Sequence, residues 1–153
     1  MIPNQAILKQ HKQIHEDSCI PMSVEYVLKE LQIVPINFFD YQKDDSKHKV
    51  LPVWVEQIHK EKIVFKREVG LASNEILNRV DTELEVGHMV IISLQWAPQK
   101  WHMYVIVEKR GKDGNYNVVT STPGSSESWI EVKDLECRIP KMNGVDLITY
   151  QLI

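Results

Sequence analysis

The stretch DSCIPMSVEYVLKELQ, from Asp17 to Gln32, decides the predicted fold of this chain. Its apolar residues recur three and four positions apart, which predicts an amphipathic helix that begins at Cys19 and ends at Gln32. Asp17 or Ser18 is expected to cap this helix, and Pro21 is tolerated because it falls in the first turn. Cys19 is therefore expected at the N-terminus of a buried helix.

The segments after this helix predict further helices first and strands later. A polar stretch over 34–49 is expected to run along the surface, and a second helix is expected over 52–62. Ser73 is expected to cap a third helix that runs through about Leu84, with Gly87 ending it. Strands are expected over 63–67, 89–95, 103–108, 116–120, 129–132 and 147–153, with a hairpin turn over 110–114. Helices followed by strands predict an α+β fold built on an antiparallel sheet.

The composition is that of an ordinary globular protein. The chain has 153 residues, 43% of them hydrophobic, and we expect a single domain over 1–153. A net charge of −3 argues against nucleic acid or an anionic membrane as a partner. No stretch of the sequence predicts a membrane span or a secretory signal, so a cytoplasmic location is expected, and export by a route without a signal peptide stays open.

The two cysteines, Cys19 and Cys137, lie far apart in the sequence and have no CxxC spacing. Reduced thiols are therefore expected, and neither a metal site nor a cofactor is predicted. A cysteine at a helix N-terminus can act as a nucleophile, because the dipole and the unpaired N–H groups favour its thiolate. An attacked carbonyl needs hydrogen-bond donors as well. The backbone of Cys19 and the side-chain amide of Gln13 are candidates for this role.

The order of these features resembles a known family. The segment QIHEDSC and the helix after it resemble the entry to the papain-like cysteine peptidases. The small bacterial peptidases that process double-glycine leader peptides are the most similar. A later segment resembles them too, in which a helix, a glycine, a buried strand and a loop lead to His102 at the start of the next strand. The resemblance spans roughly 10–135, and it rests on order and spacing.

The resemblance implies a role for each matched residue. Cys19 would be the nucleophile, His102 the general base, and Gln13 part of the oxyanion hole. The third catalytic residue is usually Asp or Asn before a proline, but here Thr122 precedes Pro123. Ser121 and Asn117 are the alternatives for that role, and a dyad without a third member is a further one.

The substrate-binding residues are expected near this dyad. Trp96 and Trp101 bracket the loop before His102, where they could line a substrate cleft or pack at the end of the sheet. Ile20 follows Cys19 where many relatives have glycine, so its bulk is expected to restrict the substrate. The other histidines, including His11, are expected at the surface.

The expected activity is hydrolysis of an amide bond, through a thioester, in a peptide or protein substrate. Two alternatives remain open at this point. The same thiol chemistry supports acyl transfer to an amine or removal of a modifier from a protein. The domain could also be a catalytically silent relative that binds peptides, because an acidic third catalytic residue is missing.

Overall fold

The helices and strands follow one another along the chain in much the expected order. The structure, a computed structural model, describes residues 3–49, 52–97, 100–110, 115–120, 128–132, 135, 139 and 147–153. Within these ranges the helices are α1 (Gln5–Gln10), α2 (Cys19–Glu30) and α3 (Ser73–Glu85), with short 3-10 segments at Asp45–Lys47 and Val53–Gln57. The strands are β1 (Ile63–Glu68), β2 (Val90–Ala97), β3 (Lys100–Arg110), β4 (Asn115–Thr120), β5 (Ser128–Val132) and β6 (Leu147–Leu152).

The six described strands form one antiparallel sheet in the order β1-β6-β2-β3-β4-β5. Strands β2, β3, β4 and β5 form a meander, and β6 returns to pair between β1 and β2. The α+β prediction is confirmed in this form, with helices and an antiparallel sheet. None of the helices in the described ranges has the length and hydrophobicity that crossing a bilayer requires.

Each face of the sheet packs against its own helix, and this division determines where the candidate site residues point. Successive residues of a strand face opposite sides. Met103, Val105 and Val107 of β3 pack on the α2 face with Val24 and Leu28. Tyr104 and Ile106 belong to the α3 face with Ile76 and Val80. The two faces therefore have separate hydrophobic clusters.

Four local features of the structure differ from what the sequence led us to expect. The predicted second helix is only a 3-10 segment at Val53–Gln57, preceded by Pro52. The helix α2 ends at Glu30 rather than Gln32. Ser73 is the first residue of α3 and not its cap, which is Ala72. The short helix α1 was not expected, although Asn4 caps it by accepting a hydrogen bond from Ala6 N at 2.9 Å.

Candidate active site

Cys19 is the first residue of α2, as the sequence predicts, and its thiol is free and partly buried. Burial raises the pKa of this thiol, although the backbone N–H groups of Met103, Cys19 and Ile20 act in the opposite direction. The thiol is therefore protonated at neutral pH in this arrangement. One of the three backbone N–H groups that favour the thiolate comes from β3, the strand that carries His102.

Gln13 lies close to Cys19 in the chain, but its side-chain amide bonds to the backbone of the loop before Cys19 and is not free to bind an oxyanion. The residue is completely buried, and its Nε2 donates to the carbonyl oxygens of His15 at 2.7 Å and Glu16 at 3.1 Å. A primary amide has two N–H groups, and both are used in these bonds. The structure therefore assigns Gln13 to holding the turn before Cys19, and the expected oxyanion role is not formed here.

His102 is on β3, but its imidazole is not on the same face as Cys19. The β2–β3 ladder is regular from His102, opposite Leu94, to Ile106, opposite Val90. His102 therefore shares the α3 face with Leu94 and Ile106, whereas Cys19 packs with the cluster on the α2 face. No hydrogen bond joins the Cys19 thiol to this imidazole, and Nε2 of His102 is buried without a partner among the described residues. The expected dyad contact is thus absent from this arrangement.

The environment of His102 favours a neutral ring. The ring of Tyr104 lies edge-on to the imidazole, with the centroids 5.3 Å apart. Burial lowers the pKa of His102. A neutral imidazole can accept a proton, so the ring has the right protonation state for a general base, but it lacks a thiol to act on.

The remaining site predictions have separate outcomes. Ile20 is 3% exposed and packs in the core on the α2 face, so it points away from any substrate, contrary to expectation.

Asn117 donates from Nδ2 to Glu108 Oε2 at 3.0 Å. Glu108 lies six residues along β3 from His102, roughly 20 Å in an extended strand, which excludes Asn117 as the third member. Ser121 and Thr122 lie outside the described residues.

The two tryptophans lie on the strands that flank the loop before His102. Trp96 belongs to β2 and Trp101 to β3, and only their backbones are described. The ladder changes register between Gln95 and Ala97, next to the Gln95–Trp101 pair. The role of both side chains in substrate binding stays a prediction.

Two features of the site had no recognisable signal in the sequence. The backbone N–H of Met103 favours the Cys19 thiolate, which depends on how α2 packs against β3. Gln42 lies in the stretch expected at the surface, yet it is completely buried beside the Cys19 loop.

Within the described ranges, no group of three or more histidine, cysteine or acidic residues is placed to hold a metal ion.

We compared the chain with protein-family models, with curated proteins and with solved structures, and none of the three comparisons found a match.

Proposed function

We propose that this chain is a papain-like thiol hydrolase that cleaves an amide bond in a peptide or protein substrate. The observation that carries the proposal is the place of the free Cys19 thiol as the first residue of α2, where a helix leaves backbone N–H groups without an intrahelical partner. Such donors stabilise a thiolate before attack. The same region can stabilise the oxyanion that forms on the attacked carbonyl.

In the proposed reaction, Cys19 attacks the carbonyl carbon and forms a thioester. His102 takes the thiol proton and delivers it to the leaving amine, and water then hydrolyses the thioester. This step requires the His102 side chain on the α2 face of the sheet. The structure then represents a resting form, in which a protonated thiol and a neutral imidazole are kept apart.

The required change would take place at the start of β3. Among the described residues, β3 pairs with β2 from Lys100 onward and with β4 from Val105 onward. The ladder is already irregular between Gln95 and Ala97, two residues from the Leu94–His102 pair. A bulge at the same level of β3 would turn His102 toward Cys19, since an extra residue reverses the alternation of side chains beyond it.

A non-catalytic peptide-binding domain is the second candidate. The observation in its favour is that His102 faces away from Cys19 while both N–H groups of the Gln13 amide are engaged in the loop. In that case, Cys19 is a structural thiol and substrate-like peptides bind without being cleaved.

The test is hydrolysis of a fluorogenic peptide library by wild type, Cys19→Ala and His102→Ala. The proposal predicts turnover by wild type, none by Cys19→Ala, and a loss of about 100-fold or more in His102→Ala. His88→Ala is the matched control, because His88 is a partly buried histidine bonded to Glu83 at 2.9 Å, and its loss should leave turnover unchanged.

Covalent trapping with a peptidyl chloromethyl ketone completes the test. Mass spectrometry should find the adduct on Cys19, formed far more slowly in His102→Ala. Absence of turnover, together with a trapping rate indifferent to His102→Ala, would contradict the hydrolase proposal. Measurable binding of uncleaved peptides in that case would support the second candidate.

A further inference from the structure

A cavity of about 520 Å³ lies beside α3, over the strands β1 and β6 at one edge of the sheet. Lys66 of β1 and Thr149 of β6 are directly opposite each other in the ladder, and both line this cavity. They belong to the α3 face of the sheet, because their neighbours Phe65 and Tyr150 pack in the cluster on the α2 face. A cavity of this size is typical of a site for a small molecule.

Two residues of α3, one helical turn apart, bring a positive and a negative group to the wall of the cavity. Nη2 of Arg79 donates to Glu68 Oε1 at 2.8 Å, and it lies 3.8 Å from Glu83 Oε1, which is too long for a hydrogen bond. Nε of Arg79 is buried and has no partner among the described residues. His88 Nδ1 occupies the other oxygen of Glu83, Oε2, at 2.9 Å. The guanidinium therefore keeps donors, and Oε1 of the carboxylate keeps accepting capacity, for a ligand.

The charges around the cavity balance one another. The described ion pairs join the bases and acids as follows: Lys66 and Arg79 with Glu68, Arg79 with Glu83, and Arg67 with Glu56. Three bases thus match three acids. A ligand with a net charge would leave this set unbalanced, whereas a ligand that carries one positive and one negative group would not.

We propose that this cavity binds a free α-amino acid. Such a ligand has no net charge, and its ammonium and carboxylate share one carbon, so its two charges are adjacent like those of Arg79 and Glu83. The carboxylate accepts from the unused donors of Arg79, and the ammonium donates to Glu83 Oε1. The side chain of the ligand then extends over Thr149 and Gln151, which line the cavity with a hydroxyl and an amide that both donate and accept hydrogen bonds.

The experiment titrates the isotope-labelled full chain with three ligands of similar size and follows the backbone amides by NMR. L-Glutamine carries both charges, glutaramate lacks the ammonium, and L-glutamine α-amide lacks the carboxylate. L-Glutamine should shift the amides of β1, β6 and α3 and approach saturation by ~20 mM, in the range of weak binding. Each analogue with a single charge should bind about tenfold more weakly, because one charge-assisted contact is lost.

Two variants assign each charge of the ligand to its partner. Arg79→Gln should weaken the binding of L-glutamine about tenfold but should not weaken the α-amide further, because the α-amide has no carboxylate to lose. Glu83→Gln should likewise weaken L-glutamine but not glutaramate. Lys109→Gln is the matched control, because it removes an ion pair with Asp81 of α3, at 2.8 Å, outside this cavity. This control should bind all three ligands as wild type does.

Equal affinities of wild type for the three ligands, shifts confined to other parts of the chain, or no saturable shift with any ligand would each overturn the proposal. So would a variant that weakens all three ligands alike. The comparison of ligands uses wild type alone, so it decides the matter even if a variant does not fold. Cys19→Ala should bind L-glutamine as wild type does, because the cavity and Cys19 are on opposite faces of the sheet. The result is therefore independent of the hydrolase proposal.

Discussion

Lys29 is a charged side chain that folding removes almost entirely from water, with 1% of its surface exposed. Its Nζ donates to His11 Nδ1 at 2.6 Å and lies 3.7 Å from the centroid of the Phe39 ring. His11 is completely buried, contrary to the surface position expected from the sequence, and its Nε2 donates to Met22 O at 3.0 Å. Burial first, and the Lys29 charge second, lower the pKa of His11 to about 3.

The Lys29→Met substitution should therefore raise the pKa of His11 above about 3 but leave it below the ordinary 6.5, because burial persists. The measurement is an NMR titration of the histidine ring signals between pH ~7 and ~4. Wild-type His11 should keep the shifts of a neutral ring, and the variant should begin to titrate. Lys12→Met, in which an exposed lysine next to His11 is replaced, is the control. Identical titrations in Lys29→Met and wild type would contradict this account.

The sequence could not place His11, because its neighbours come from separate parts of the chain. The ring stacks on Phe39 with centroids 5.5 Å apart, and it bonds to Lys29 and Met22 of α2. The spacing of these residues in the sequence does not predict that they contact His11. Cys19 differs, since the periodicity of its own helix was sufficient to predict its place at the N-terminus of α2.

At the scale of elements, the end of α3 depends on a left-handed residue. Gly87 has a φ of +85°, and a Cβ placed there meets nothing within 4 Å. The cost of a side chain is therefore conformational, and Gly87→Ala should lower the free energy of unfolding by about 1 kcal/mol. Urea denaturation measures the difference. Gly87→Asn should cost less, because asparagine tolerates this conformation, and equal losses in both variants would contradict the conformational explanation.

The strands show what sequence patterns can and cannot predict about a site. Alternating and continuous apolar runs predicted every described strand to within a few residues, because burial sets the pattern. The face that His102 occupies was not predictable, since a displacement of one residue reverses it. The segment 53–57 failed for a related reason: Val53 is 57% exposed and only Val55 is buried, so tertiary contacts support no longer helix there.

For the molecule as a whole, two buried groups titrate in opposite directions. Burial raises the pKa of Glu25 to about 7, from an ordinary 4.5, although Gln42, Lys29 and Tyr41 N favour its charged form. Between pH 4.5 and 7 the folded chain thus binds a proton at Glu25 that the unfolded chain does not. Between pH 3 and 6.5 the unfolded chain binds a proton at His11 that the folded chain does not. From pH 4.5 to 6.5 the two contributions to the pH dependence of stability cancel.

Glu25→Gln removes the Glu25 contribution, so the free energy of unfolding of the variant should fall as the pH is lowered from 6.5. In wild type the Glu25 and His11 contributions cancel over the same range. The expected difference in slope between pH 4.5 and 6.5 is about 1.4 kcal/mol per pH unit, the value for one proton. Urea denaturation at several pH values measures it, and the slope is compared because glutamine also changes the bonds to Gln42. The window lies above the titration of Asp44, whose pKa is lowered to about 2. Parallel slopes in the two proteins would show that Glu25 ionises alike in the folded and unfolded chain, and its connection to Gln42 would then be independent of pH.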